Sequence, residues 1–303
     1  MHALATKRRQ AAVAGPWTVS AASTLTVNRL DDEHEAEVLG FLDERPVHTF
    51  GMVGFIRANG MVSPCNRGTF YACRNEQGQL EGVALIGHHI LFEARTDAAI
   101  EVFARLAQEC SDAHMVLGEQ HKVETFWSYY ADGGQAPRLF CRELLLELRW
   151  PIEARECVTG MRPATLNDLD LVVPAQAQGA FEDSGVDPLQ VDPEGFRQRC
   201  ARRIERGQTW VWIEDGRLIF KAEVITDTAL VSYLEGVWVD PQARRNGIGS
   251  RCMEQLGRSL LMRSRSVCLL VDEKADGPRA FYKTAGYEFI GCYGTIFLKQ
   301  QAH

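Results

Sequence analysis

The segment Leu234–Gly257, LEGVWVDPQARRNGIGSRCMEQLG, constrains this chain more than any other. An apolar run reads as a strand up to Val239. Asp240-Pro241 ends it, since proline has no N–H to give to a ladder. A turn holding two arginines and two glycines follows at 242–249, and an amphipathic helix opens on Ser250. Strand, glycine turn and helix N-terminus, in that order, build an anion site. Successive N–H groups point into the turn, and the helix dipole adds positive potential. Gly247 and Gly249 carry no Cβ, so the backbone there can come close to a ligand. Arg244 and Arg245 add fixed positive charge. The stretch Arg244, Arg245, Asn246, Gly247, Ile248 and Gly249 reads as a diphosphate cradle.

Two common nucleotide loops do not fit. No Lys-Ser or Lys-Thr follows the second glycine, as a P-loop requires. A dinucleotide-binding turn would need a third glycine and an acidic residue after a second strand. Net charge is −7, which argues against a general nucleic-acid binder. With 46% hydrophobic and 24% charged residues, the chain is globular rather than disordered. Its 303 residues suffice for two domains. The nine cysteines are scattered, without a CxxC, which fits reduced thiols and a cytoplasmic setting. The eight histidines contain no HExxH, so no metal site is expected. No stretch is long enough to span a bilayer. The apolar run near the N-terminus is only Ala-Ala-Val-Ala, too short for a signal-peptide core. Residues 1–24 read as a loose tail.

Along the chain, 31–45 reads as a helix with acids in its first turn. His48–Met61 is a helix or a loop, because Gly51, Gly54 and Gly60 interrupt it. Strands follow at 69–73 and 80–86, with another near Leu91. Then come a helix at 97–110, a short strand at 114–118, an aromatic helix at 123–131 and a strand at 139–148. Trp150-Pro151 to about 158 reads as a linker. The second half reads as strand 159–163, helix 168–181, loop 182–193, helix 194–206 and strands 209–214, 217–226 and 230–239. The glycine turn and helix 249–263 come next. Strand 267–272, helix 277–285 and two strands, 287–291 and 293–299, finish the chain. Thr209-Trp-Val-Trp-Ile-Glu-Asp-Gly-Arg-Leu parallels Thr69-Phe-Tyr-Ala-Cys-Arg-Asn-Glu-Gln-Gly-Gln-Leu, and Phe281-Tyr-Lys-Thr-Ala-Gly parallels Phe126-Trp-Ser-Tyr-Tyr-Ala-Asp-Gly. The order of elements agrees as well, so the halves read as a worn repeat. The expected division is a tail at 1–24, a first domain at 25–150, a linker at 151–158 and a second domain at 159–303.

Arg244-x-x-Gly247-x-Gly249, after a strand ending Val-Asp-Pro, resembles the acetyl-CoA signature of the GCN5-related N-acetyltransferases (GNATs). Ala280-Phe-Tyr-Lys-Thr-Ala-Gly-Tyr287 is similar to that family's Phe-Tyr helix. The resemblance covers 160–298. One departure is Ala275, where many members have an asparagine that touches the cofactor. The first half has no such turn, and it is similar in layout to the degenerate amino-terminal domains of tandem members. The implied fold class is α/β (α+β): two tandem GNAT-like domains, each a mixed, mostly antiparallel sheet flanked by helices. The implied activity is transfer of an acetyl group from acetyl-CoA to a primary amine, on a small molecule or a protein lysine, without metal, nucleic acid or membrane. Two other readings stay open: a CoA-binding regulator or scaffold whose catalysis has decayed, and a mycothiol-synthase-like acetyltransferase.

In the family, the strand before the cradle splays from its parallel neighbour at a bulge and pairs with the pantetheine arm. By position that strand is Gly236, Val237, Trp238 and Val239, with the Val237 N–H as oxyanion donor. Tyr282 is the expected proton donor to sulfur, since a phenol is protonated at neutral pH; the alternative is a core aromatic. Glu235 is the expected base, with Glu223 in reserve; the alternative is an exposed strand glutamate. Glu182, Asp183 and Asp187 would attract a cationic amine, but a solvated loop with capping acids is the simpler reading. Trp210, Trp212 and Trp238 read as strand residues packing on helices. Cys252 reads as packing rather than as a nucleophile.

Overall fold

Both halves start the same way, with a short strand and a capping box. The Asp31 side chain accepts from the Glu33 N–H (3.1 Å) and sits in a reciprocal capping box with His34. Thr165 does the same with Asp168. The structure, a computed structural model, describes residues 25–151 and 157–299. The expected tail and most of the expected linker lie outside that range.

In chain order the first half forms β1 (Thr26–Arg29), α1 (Glu35–Leu42), α2 (Pro46–Asn59), β2 (Gly68–Arg74), β3 (Leu80–Gly87), β4 (His89–Ala94), α3 (Asp97–Ala107), β5 (Met115–Glu119), α4 (Gln120–Tyr130) and β6 (Pro137–Leu148). The second half forms β7 (Met161–Pro163), α5 (Leu169–Ser184), α6 (Pro188–Val191), α7 (Pro193–Glu205), β8 (Thr209–Glu214), β9 (Arg217–Asp227), β10 (Ser232–Val239), α8 (Ile248–Leu261), β11 (Val267–Asp272), α9 (Asp276–Thr284) and β12 (Glu288–Leu298). Among the described residues, no helix is long and apolar enough to cross a membrane.

The twelve strands of the described residues share one sheet, ordered β1-β2-β3-β4-β5-β12-β6-β11-β10-β9-β8-β7. The order is symmetric about its centre. The long last strand of each half crosses over: β6 pairs with β11 of the second half, and β12 pairs with β5 of the first. The two crossed strands pair with each other from Glu288↔Glu147 to Leu298↔Pro137. The strand pairs β4–β5 and β10–β11 are parallel and the rest antiparallel.

Alternation along the strands sends side chains to two helical layers. Leu146 and Leu148 of β6 join the core under α8, with Leu234 and Leu256. Leu145, one residue away, joins Phe50 of α2, Tyr233 and Tyr293 on the opposite face. The first half's α2 thus covers strands of the second half. The Thr226 hydroxyl of β9 donates to the Phe50 carbonyl (2.8 Å).

Three elements differ from the sequence reading, the first being the expected loop 182–193, which holds the end of α5 and the short helix α6. The stretch left open as helix or loop is the helix α2. Its Gly54 lies so close to β9 that a Cβ there would come within 2.4 Å of the Thr226 hydroxyl; the glycine serves close packing and does not break the helix. The two short strands expected at the C-terminus are one strand, β12, with a register shift between Phe289 and Gly291. Its pairing to β6 runs on through Gly291, Cys292 and Tyr293, where the two expected strands were divided.

Candidate active site

The site begins where β10 leaves β11. The two pair in parallel only over Ser232–Leu234 and Val267–Leu269. Beyond Leu234, β10 keeps its partner β9 on one side, but the register slips between Glu235 and Trp238. That slip is a bulge. Gly236 supplies it, with φ +56°, a conformation glycine adopts at little cost. The Gly236 carbonyl accepts from the buried Lys221 ammonium at 3.0 Å. A Cβ on Gly236 would come within 3.0 Å of both Gln176 and Lys221. The edge of β10 facing the gap is open: Gly236 is exposed, and Val237, Trp238 and Val239 are half-buried.

The end of β10 leads into the turn. Asp240 accepts from the Gln242 N–H (2.7 Å) and pairs with Arg217 (2.8 Å). The Arg244 guanidinium folds back onto the Val239 carbonyl (3.1 Å). Arg244 therefore braces the turn against the strand as well as adding charge. Arg245 and Gly247 both have positive φ, at 65° and 72°. For a non-glycine residue this costs about 1–3 kcal/mol. Alternating hands of backbone turn successive N–H groups to one side, the geometry of an anion nest. Gly247 is the N-cap of α8 and has no side chain to cap it. The donors of the first helical turn are thus free for a ligand. Gly249 does something the sequence reading missed. A Cβ there would meet Phe281 and Val239, each at 3.0 Å. Its lack of a side chain lets α8 press onto β10 and α9, while Gly247 shapes the cradle.

Tyr282 stands on α9 and joins the core that holds Leu234 and Leu269 of the two parting strands. It is buried (8% exposed) and packs edge-on against Phe281 and Tyr287. Burial raises its pKa, and Asp183 adds to the rise, so the phenol keeps its proton across the physiological range. Ala275 is the N-cap of α9, without a side-chain cap.

Glu235 lies at the start of the open edge, opposite Glu223 of β9. Both carboxylates share Arg203 of α7: Glu235 at 3.0 Å, and Glu223 in a closer contact. Glu223 is fully buried and also pairs with Lys221 (3.3 Å). Burial alone would raise Glu223, but Arg203 and Lys221 hold it below the usual carboxylate range. For Glu235 burial wins over Arg203, and the facing Glu223 adds to the rise. The reserve candidate is therefore locked in ion pairs, and Glu235 keeps the higher proton affinity.

Asp183 is the residue that sequence reasoning set aside. It sits not in a loop but on the last turn of α5, which runs to Ser184 and ends on Gly185 with φ +69°. That C-cap glycine was the available signal. Burial, then Glu235, Glu182 and Asp272, push the Asp183 carboxyl up to about 6. The residue is nonetheless exposed to solvent on that last turn. Asp187, by contrast, is a cap: it accepts from the Leu189 N–H at 2.9 Å. Cys252 is buried, and burial pushes its thiol up to about 12, far from a nucleophilic thiolate. Trp210 and Trp212 pack on the core under α8. Trp238 packs against α5 and α7 and bonds Gln178 (3.1 Å).

Residues 205–289 match the family model described as the acetyltransferase (GNAT) domain. A search of curated protein sequences gave no match. Among solved structures, a Drosophila protein aligns with a TM-score of 0.65 at 13% identity, over 91% of this chain and 99% of that one. A tandem GNAT protein from the clavulanic acid biosynthesis pathway aligns with a TM-score of 0.56 at 13% identity, over 92% and 99%. A GNAT-family acetyltransferase from Colwellia psychrerythraea aligns with a TM-score of 0.56 at 11% identity, over 90% and 99%. Residues 205–289 thus match a GNAT acetyltransferase domain, and most of the chain shares its fold with a tandem GNAT protein.

Proposed function

We propose that this protein moves an acetyl group from acetyl-CoA to a primary amine, on a small molecule or a protein lysine, by direct attack in a ternary complex. The observation that carries this reading is the parting of β10 from β11, which runs straight into the uncapped start of α8. A thioester with an extended amide arm and a diphosphate has the shape of that path. The arm pairs with the free edge at Val237, Trp238 and Val239, and the diphosphate sits on the N–H groups from Arg244 to Gly249. The missing asparagine at Ala275 costs one side-chain contact and leaves the backbone cradle intact.

The amine nitrogen attacks the thioester carbonyl carbon, and the C–S bond breaks. The Val237 N–H stabilises the oxyanion that forms. Glu235 takes the proton that the nitrogen must lose, directly or through water, with Asp183 beside it. Tyr282 gives its proton to the departing sulfur and regains one from solvent. The products are an amide and free CoA thiol.

The test is thiol release from acetyl-CoA across a set of amines. The expected result is release with at least one amine. Tyr282→Phe should lower kcat by about 100-fold or more, within the range of a lost proton transfer, with acetyl-CoA affinity unchanged. Binding of acetyl-CoA without turnover on any amine would favour a CoA-responsive regulator instead. Unchanged kcat in Tyr282→Phe would remove that residue from the mechanism.

A further inference from the structure

Strand β9 buries two charges where its pattern calls for apolar side chains. Phe220, Ala222 and Val224 join the core under α8. Lys221 and Glu223 alternate with them, face α5 and α7, and are both fully buried. Burying an ammonium is costly unless it is paired and hydrogen-bonded. Lys221 has three neighbours of that kind. It donates to the Gln176 side chain of α5 in a close contact and to the Gly236 carbonyl at 3.0 Å, and it stands 3.3 Å from the Glu223 carboxylate. Glu223 does not account for Lys221 by itself. It already has Arg203, in a closer contact, and Arg203 also holds Glu235 (3.0 Å).

The bond to Gly236 bears on the chemistry. The Gly236 carbonyl and the Val237 N–H belong to one peptide unit. That unit is planar and trans, so its two polar groups point in opposite directions. Glu235 pairs with Glu223 and Trp238 with Lys221, which leaves Gly236 and Val237 together against the single residue Ala222 of β9. The pairing to β11 has already ended at Leu234. This peptide therefore lies outside the paired positions of β10, and the ladders do not fix its plane. Lys221 does. By drawing the carbonyl inward beneath α5, it turns the Val237 N–H the other way. A cation on the carbonyl oxygen also pulls electron density from the amide and strengthens its N–H as a donor, as happens along a chain of hydrogen bonds.

We propose, resting on the transferase reading above, that Lys221 is a positioning residue for the acyl transfer. From behind β10 it orients and polarises the peptide whose Val237 N–H meets the oxyanion. It acts through that peptide and not on either substrate. Glu223 ties Lys221 to Arg203, and Arg203 reaches Glu235. The oxyanion donor and the base are thus set by one run of alternating charge: Lys221, Glu223, Arg203 and Glu235.

The experiment makes Lys221→Met in two full-length backgrounds, the parent and Glu223→Gln. Methionine keeps most of the length and removes the charge. In the Glu223→Gln background no carboxylate is left buried without its cation, so the fold is kept. Comparing the two backgrounds separates what Lys221 does for Glu223 from what it does for the peptide. Four quantities are read: kcat by thiol release, acetyl-CoA affinity by calorimetry, Tm, and the infrared stretch of the thioester carbonyl in bound, isotope-labelled acetyl-CoA. Removing an oxyanion donor outright costs about 100- to 1,000-fold in kcat; here the donor stays and is only weakened, so the expected loss is about 10-fold in both backgrounds, with acetyl-CoA affinity within about 2-fold. The carbonyl stretch, lowered in the parent by the Val237 N–H, should move back toward its value in free acetyl-CoA. A loss of kcat seen only where Glu223 is charged would make Lys221 a counter-ion and overturn the proposal. A stretch equal in parent and variants, or a loss of affinity and Tm that matches the loss of kcat, would overturn it as well. Each of these results leaves the transferase reading standing, because the parent still turns over. No thiol release by the parent with any amine would overturn both.

Discussion

The chain contains the same junction twice, and only one copy is open. In each half two parallel strands pair over three residues and then part: β10 from β11 after Leu234, and β4 from β5 after Leu91. In the second half β10 bulges at Gly236 and its edge stays free. In the first half β4 pairs with β3 without a register shift, and the gap is filled by charge. Arg45 reaches Glu93 (2.9 Å) and Glu119 (2.8 Å), and Lys122 reaches the same two carboxylates at 2.6 and 3.1 Å. Burial would raise Glu119, but Arg45, His48 and Lys122 bring it down to about 2. Beneath these ion pairs a cavity of about 30 Å³ remains, room for one or two waters, and a wider cavity of about 400 Å³ adjoins it at His48, Glu119 and Tyr293. The links to the following helices differ too. Only Arg95 and Thr96 join β4 to α3. Thr96 caps the helix by accepting from the Ala99 N–H (3.3 Å), and Asp97 puts negative charge in its first turn. In the second half eight residues make that link, and the cap is a bare glycine. One extra strand residue, a longer turn and an uncapped helix distinguish the proposed ligand site from its ion-paired copy of the same topology.

The comparison also shows that the halves are not independent. A row of directly opposed residues, Asp272, Glu143, Tyr293 and Glu119, crosses from the open junction to the plugged one. The largest effect is expected from cutting this sheet. Residues 157–303 expressed alone lose β6 from between β11 and β12, together with the cover of α2. They should be insoluble or lack a cooperative melt, whereas the full chain melts as one unit; a soluble, cooperatively folded fragment that binds acetyl-CoA would break this account of the first half. Next in size, Gly236→Val forces a side chain into positive φ and into Gln176 and Lys221, and straightens β10 toward the form of β4. Turnover should fall by about 100-fold, the scale of a misplacement of roughly 1 Å, with the protein still folded by circular dichroism. Activity within a few-fold of the parent would mean that the bulge does not set the site.

The smallest effect concerns pH. Asp183, with its carboxyl up at about 6, is charged above that pH and neutral below it. Its help to a cationic acceptor is therefore present above pH 6 and lost as pH falls through 6. Protonation of the acceptor nitrogen and of the Glu235 base already gives log kcat/KM a positive slope against pH, and Asp183 should steepen it further below pH 6. In Asp183→Asn that added steepening near pH 6 should be lost, and a parent and variant with the same profile would remove Asp183 from the reaction. The first half offers no such group at its gap, because Glu119 is held down at about 2. A parent profile without the steepening would sharpen the comparison by assigning proton transfer to Glu235 alone.

Much of the open junction was legible in the sequence because it is local. Asp240-Pro241, Gly247 and the Phe281-Tyr282 helix announce themselves within a few residues, and their spacing fixes the turn and its helix. The absence of a cradle after Leu91 was equally local. What was not legible is tertiary. Nothing in Leu139–Leu148 says that this strand will lie beside β11, so Glu143 read as the end of the first half. Asp183 read as loop because Gly185 was not taken as a helix cap. Gly249 read as a ligand contact because its packing partner, Phe281, is thirty-two residues away.

The most direct measurement is calorimetric titration of the full chain with acetyl-CoA. The account predicts one equivalent per chain. Binding should be lost in Gly247→Val, which places a β-branched side chain at positive φ in the cradle, and retained in Lys122→Met at the plugged junction. Two equivalents per chain, or binding lost in Lys122→Met and retained in Gly247→Val, would contradict it.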